Sequence, residues 1–196
     1  FTMSVVLLIS GMSGAIAAQS PCSAQDVACN EFSTLAAAEQ FDKIIEKVDA
    51  KRTYSADARS IIGEAYLILA GKEGNSPAQE EHYCLKALEY GATSAYMGLY
   101  FLYSGTDSEA ALGFLKQYIA TGASDAVPYV LLGEAEMDKQ NYTAAHTYFR
   151  EAKKVSRGTP RDLDWTLFQT SYLTGDYYNA SSMLNSAFSQ GKTVGD

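Results

Sequence analysis

Basic residues, cysteines, histidines and prolines are all scarce in this chain of 196 residues, and each shortage removes a class of answer. Fifteen lysines and arginines stand against 23 aspartates and glutamates, a net charge of −8. Binding nucleic acid needs a basic stripe to meet phosphate, and no such stripe is visible. The acidity is spread along the chain rather than run together, the pattern of a solvated surface. Two histidines, His82 and His146, stand far apart beside three cysteines, too few ligands for a zinc site. Three cysteines also cannot build a disulfide scaffold. No G-x-G-x-x-G or P-loop spacing exists to cradle a phosphate. Four prolines in the whole chain leave long stretches free to be helical.

What is present is an ordinary globular composition, with 47% hydrophobic and 19% charged residues, long enough for one domain or a short solenoid. Its most informative feature is a glycine that recurs inside apolar helical patterns at Gly63, Gly98 and Gly133, each time 35 residues on. A glycine in a helix interior costs about 1 kcal/mol against alanine, so three at one interval need a reason. A repeated packing site supplies one, since a stacked helix pair cannot bury its apolar face alone and needs the same small residue once per unit.

Residues 1–18 are uncharged and apolar and end in small residues at Ala15, Ala17 and Ala18, the h-region and cleavage pattern of a secretory signal. The basic n-region is missing. As a membrane span the stretch is poor, because Gly11, Ser13 and Gly14 interrupt it and about 20 firmly apolar residues are wanted. The alternative is a retained hydrophobic helix, since the opening Phe1-Thr2 is similar to the mature start of type IV pilins. Val5 stands where pilins usually carry glutamate. Cys22 follows no lipobox.

Cys22 and Cys29 lie seven residues apart. On one straight helix their Cα atoms would be about 10.5 Å apart, beyond the reach of a disulfide. Pro21 suggests a non-helical lead, however, which lets Cys22 fold back onto a helix holding Cys29. In an oxidising compartment a bridge is expected, and in the cytoplasm two thiols. Cys84 sits on an amphipathic pattern and is expected in the core.

Each unit reads as two amphipathic helices joined by a short polar turn. The pair at residues 126–155 is clearest. Helix A is expected over 126–139, with Pro128 in its first turn, and helix B over 143–155, with Gly158 and Pro160 as stop signals. With Tyr129, Leu132, Gly133, Tyr142, Ala145, Phe149 and Ala152 at their places, this pair closely resembles the tetratricopeptide repeat. The segment 89–105 resembles the related Sel1-like repeat. The unit around Gly63 has a longer middle loop. The last unit puts Phe168 where the glycine would stand and keeps Trp165, Ala180, Leu184 and Ala187. The first pair, with Phe41 and Ile44 opening its second helix, is the most diverged. The resemblance implies an all-α, right-handed helical-hairpin solenoid of about four to five repeats over residues 19–196, behind an apolar N-terminal segment at 1–18.

Helices A of such stacks line a groove that holds protein partners. Projection of the pattern places Ser60, Glu64, Leu67, Leu99, Leu102 and Tyr103 on that face. Val130, Glu134, Met137 and Asp138 follow, then Trp165, Gln169 and Tyr172. The principal groove candidates are Glu64, Tyr103, Glu134, Met137, Asp138, Trp165, Gln169 and Tyr172. Aromatics with a few carboxylates would suit an apolar or mildly basic peptide. The same side chains also serve as filler between repeats. The lysines and asparagines that clamp a carboxylate in chaperone-binding members are missing. Glu64 and Glu134 match in register but stand two repeats apart, too far for paired acid–base work, and no catalytic triad is apparent. The expectation is therefore a non-enzymatic, cofactor-free, exported interaction scaffold, periplasmic or extracellular. By analogy of fold it would support assembly of a bacterial envelope complex. The alternative is a subunit of a pilus-like filament or membrane complex, anchored by an uncleaved N-terminal helix and able to self-associate.

Overall fold

The computed structural model describes residues 22–156 and 161–189. The presumed signal or anchor at 1–18, and the stop signals Gly158 and Pro160, lie outside the described residues. Among these residues there are ten α-helices and no strand. They are α1 (Val27–Ala37), α2 (Phe41–Glu46), α3 (Ala56–Ala70), α4 (Pro77–Glu89) and α5 (Ala95–Tyr103). Then follow α6 (Ser108–Ala120), α7 (Val127–Asp138), α8 (Tyr142–Val155), α9 (Arg161–Leu173) and α10 (Tyr177–Ser189). The chain divides into two compact units, with the boundary inside α6 between Phe114 and Leu115.

Local chemistry starts several helices where they begin. Asp26 accepts a hydrogen bond from the Cys29 amide and Ser55 from the Ala58 amide, each satisfying a donor that the first turn leaves open. Ser76 and Gln79 form a reciprocal capping box around Pro77 at the start of α4. Asn75, in the longer loop before it, donates to the carbonyls of Leu69 and Ala70 and so closes the end of α3. The pair at residues 126–155 is found where its pattern puts it, with Pro128 in the first turn of α7 and α8 opening one residue early at Tyr142.

The first unit holds two apolar clusters. One gathers Phe32 of α1, Ile44 of α2 and Ile62 of α3. The other gathers Leu67, Cys84, Ala87 and Leu99 from α3, α4 and α5. Cys84 is thus a core residue, and its burial pushes the thiol up to about 11. The second unit is built on Ala145, Phe149 and Ala152 of α8 against Leu163 and Leu167 of α9, with Tyr129, Val130 and Met137 of α7 packed over them.

The recurring glycines are close-approach sites. A Cβ at Gly133 would stand 2.6 Å from Cε1 of Phe149, so α7 meets α8 only where a side chain is missing. At Gly98 the added atom would stand 2.9 Å from the Cys84 sulfur, and at Gly63 3.1 Å from the Ala92 Cβ. The partners differ in one respect. Gly133 and Gly63 face the helix, or the helix end, that follows them. Gly98 faces the preceding α4.

A second recurrence lies in the turns. Glu39, Gln140 and Gly175 all adopt a left-handed backbone, with φ of 55°, 59° and 80°. Each stands two residues before a helix that opens on an aromatic residue, Phe41, Tyr142 or Tyr177. The amide that follows reaches back five residues, Gln40 to Leu35, Asn141 to Glu136 and Asp176 to Ser171. That is the Schellman closure of a helix end, made at these turns with three different residues, and Gly91 makes it again at the end of α4, with the Ala92 amide bonding Ala87.

Candidate functional site

In the second unit, three of the expected groove residues share α9. Trp165 is half-buried, Gln169 is exposed and Tyr172 is 57% exposed. Their spacing sets them on one face of the helix, and Phe168, at the position of the recurring glycine, lies among them. Ring centroids run 5.0 Å from Trp165 to Phe168 and 6.3 Å from Phe168 to Tyr172. The row continues 5.5 Å to Tyr177, the first residue of α10. Leu173 and Tyr178, next to Tyr172 and Tyr177 in the chain, are exposed as well. The sequence marked the A-helix part of the row. It missed Tyr177, which continues it from the next helix.

In the same unit α7 carries two exposed carboxylates, Glu134 and Asp138. Met137 between them turns inward, half-buried against the unit's core. The unit thus holds an aromatic row on α9 and two exposed carboxylates on α7, and both helices pack on α8. Glu136, on the same helix, is held below the usual carboxylate range by the Lys139 ammonium, which bonds to it, and by the Asn141 amide.

The first unit treats its candidates differently. Leu67 and Leu99, projected onto the groove face, are core residues. The projection fails there because α3 and α5 bury more than one stripe. Glu64 is half-buried and Leu102 likewise, whereas Ser60 is exposed. Tyr103 donates its hydroxyl to Glu81 of α4 and packs its ring 5.5 Å from Phe114. The hydrogen bond to that carboxylate raises the phenol above its ordinary value. Tyr103 therefore ties two helices together.

Cys22 and Cys29 are bridged, with Cα atoms 5.7 Å apart. The non-helical lead from Cys22 to the Asp26 cap turns the chain back, as the position of Pro21 suggested, and Cys29 is fully buried in the first cluster.

The second unit also contains a site that sequence reading passed over. A cavity of about 580 Å³ lies between α8, α9 and α10. Its α8 wall carries Arg150, Lys153 and Lys154, and Leu167 and Met183 supply apolar lining. Lys153 reaches the buried Asp164 at 2.5 Å, and the other carboxylate oxygen accepts from Ser186 at 2.7 Å. One buried carboxylate thereby joins three helices. His146, half-buried, bonds through Nδ1 to the Thr170 hydroxyl at 3.0 Å. Burial, and then the nearby Arg150, lower its pKa below the ordinary histidine value. The segment 150–154, with three cations in five residues, was the available signal; an overall charge of −8 concealed it.

Among the described residues no helix is long and apolar enough to cross a membrane, and no group of histidine, cysteine and carboxylate side chains could hold a metal ion. No protein-family model matches the sequence, and no curated protein is similar to it. In fold the chain is similar to MamA, a tetratricopeptide-like protein, as its crystal structure shows it. The match has a TM-score of 0.51 at 16% identity and covers 81% of this chain and 92% of that one. The likeness is one of fold: an all-helical, tetratricopeptide-like repeat.

Proposed function

We propose that this chain is an exported, non-enzymatic scaffold that binds a protein partner through the A-helix face of its second unit. The observation that carries the reading is the aromatic row Trp165, Phe168, Tyr172 and Tyr177, exposed at its outer end. Exposed aromatics in a contiguous row are costly to leave in water and are the residue types that anchor interfaces. Glu134 and Asp138, exposed on α7 of the same unit, favour an apolar segment with one or two basic residues. The tetratricopeptide-like fold supports a protein partner, and assembly of an envelope complex is the role the fold suggests by analogy. The Cys22–Cys29 bridge supports an oxidising compartment and hence export.

Two measurements test this. Fluorescence of Trp165, the single tryptophan of the chain, reports directly on the row. Peptides that alternate apolar and basic residues should change its emission, and acidic peptides of the same length should not. Tyr172→Ala should weaken binding about tenfold, and equal response to both peptide classes would sink the groove assignment. Export is tested by the intact mass of protein from its native source, with and without reduction. A mass beginning near Gln19 and two hydrogens below the reduced form supports the reading. A mass that retains Phe1 replaces it with a filament stem or membrane anchor.

A further inference from the structure

We propose that the cavity between α8, α9 and α10 is a second binding site, for a small amphiphilic anion: a carboxylate or phosphate monoester on a short apolar chain. The proposal does not rest on the aromatic row, which occupies a different face of α9 from Leu167 and Ser171. Three features converge. The first is charge, since the lining holds three cations against one carboxylate, Asp176, in a chain whose acids outnumber its bases 23 to 15. Lys153 and Lys154 already have partners in Asp164 and Glu151. Arg150 is exposed and forms no ion pair with a described residue, so its guanidinium is the group left to receive an oxyanion, two bonds at a time.

The second feature is polarity arranged around that cation. Ser171 and Asn179 line the cavity with hydrogen-bonding side chains, and His146 lines it too, its Nδ1 3.4 Å from the Ser171 hydroxyl and its pKa lowered by burial. Asp176, which would repel an anion, has its carboxylate already engaged by the amide and side chain of Asn179. The third is the apolar pair, Leu167 and Met183, which gives an alkyl chain somewhere to go. A cavity of about 580 Å³ falls within the range of sites that enclose small ligands, far more space than a bare phosphate fills.

The test titrates the full chain with four probes: hexanoate, hexyl phosphate, hexylammonium and inorganic phosphate. Binding is followed by NMR at the two histidine rings, with the exposed His82 as internal control. Saturation with hexanoate or hexyl phosphate should shift the His146 signals and raise its pKa, leaving His82 unmoved. Whichever head group binds more tightly identifies the oxyanion. Inorganic phosphate should bind at least tenfold more weakly than hexyl phosphate, and hexylammonium should not compete. Arg150→Glu, at an exposed position, should keep the helical spectrum and weaken the anion at least tenfold; Met183→Glu should do the same through the apolar wall. Equal shifts at both histidines, equal binding of hexylammonium, or unchanged affinity in both variants would overturn the site.

Discussion

The fourth helix pair and the first solve one packing problem by different means. In the fourth, α7 and α8 are of similar length, Gly133 admits the Phe149 ring, and the contact is completed by Ala145 and Ala152 without covalent help. In the first, α2 is only six residues long, too short to cover α1 along its length. Tyr54 of the following link packs its ring 5.8 Å from Phe32 instead, and the disulfide fastens the start of α1. Where the repeat pattern is complete, burial holds the pair; where it is truncated, a cross-link and a borrowed aromatic make up the difference.

The contrast breaks most readily at its strongest point. Phe149 is fully buried, so Phe149→Ala should cost about 3–5 kcal/mol, read as a lowered midpoint in urea. The cavity left at Gly133 has no side chain to collapse into it. In the first pair the corresponding weakness is the bridge. Closing so short a loop lowers the entropy of the unfolded chain by about 2 kcal/mol, so Cys22→Ser with Cys29→Ser should lose about that much. A reducing agent should reproduce the loss in the parent chain and leave the double variant unchanged.

Much of this organisation could be read from the residues, and the reason is periodicity. The 35-residue recurrence of glycine marked places where a neighbouring element packs closely against a helix backbone, and small residues at fixed intervals are visible in any sequence. Cys22 and Cys29 could be paired because a proline marked the break before the helix. The exposed faces were legible only in part. Projecting one face per helix met exposed Gln169 and Tyr172 on α9, but on α3 and α5 it met Leu67 and Leu99, which are enclosed by neighbours on several sides. The cavity was concealed for a different reason. Its cations come from one helix and its apolar residues from two others, and Asp164, which holds Lys153 in place, belongs to the next helix. Composition averages such a patch away.

Two helical glycines should respond to a methyl group in opposite ways. Gly133→Ala forces a Cβ into the Phe149 ring and should cost about 1–3 kcal/mol. Gly113, inside α6 but outside the 35-residue series, has nothing within 4 Å of the point where a Cβ would stand. Gly113→Ala should therefore gain about 1 kcal/mol from helix propensity alone. Opposite signs at the two positions, both read from urea midpoints, would separate a packing site from an ordinary one. Equal signs would remove the recurrence as an argument.

The turns offer the finest comparison, because the same Schellman closure is made with glutamine at 140 and glycine at 175. A left-handed backbone disfavours any residue with a Cβ by about 1 kcal/mol, part of which a glycine returns through its freer unfolded chain. Gln140→Gly should therefore stabilise by about 0.5 kcal/mol and Gly175→Gln destabilise by a similar amount, both measured as shifts of the urea midpoint. Since the backbone is alike at the two sites, the changes should mirror each other. A Gln140→Gly that gains nothing would mean that the glutamine side chain itself contributes to the turn, and the left-handed conformation would then be held by more than the helix-end hydrogen bonds.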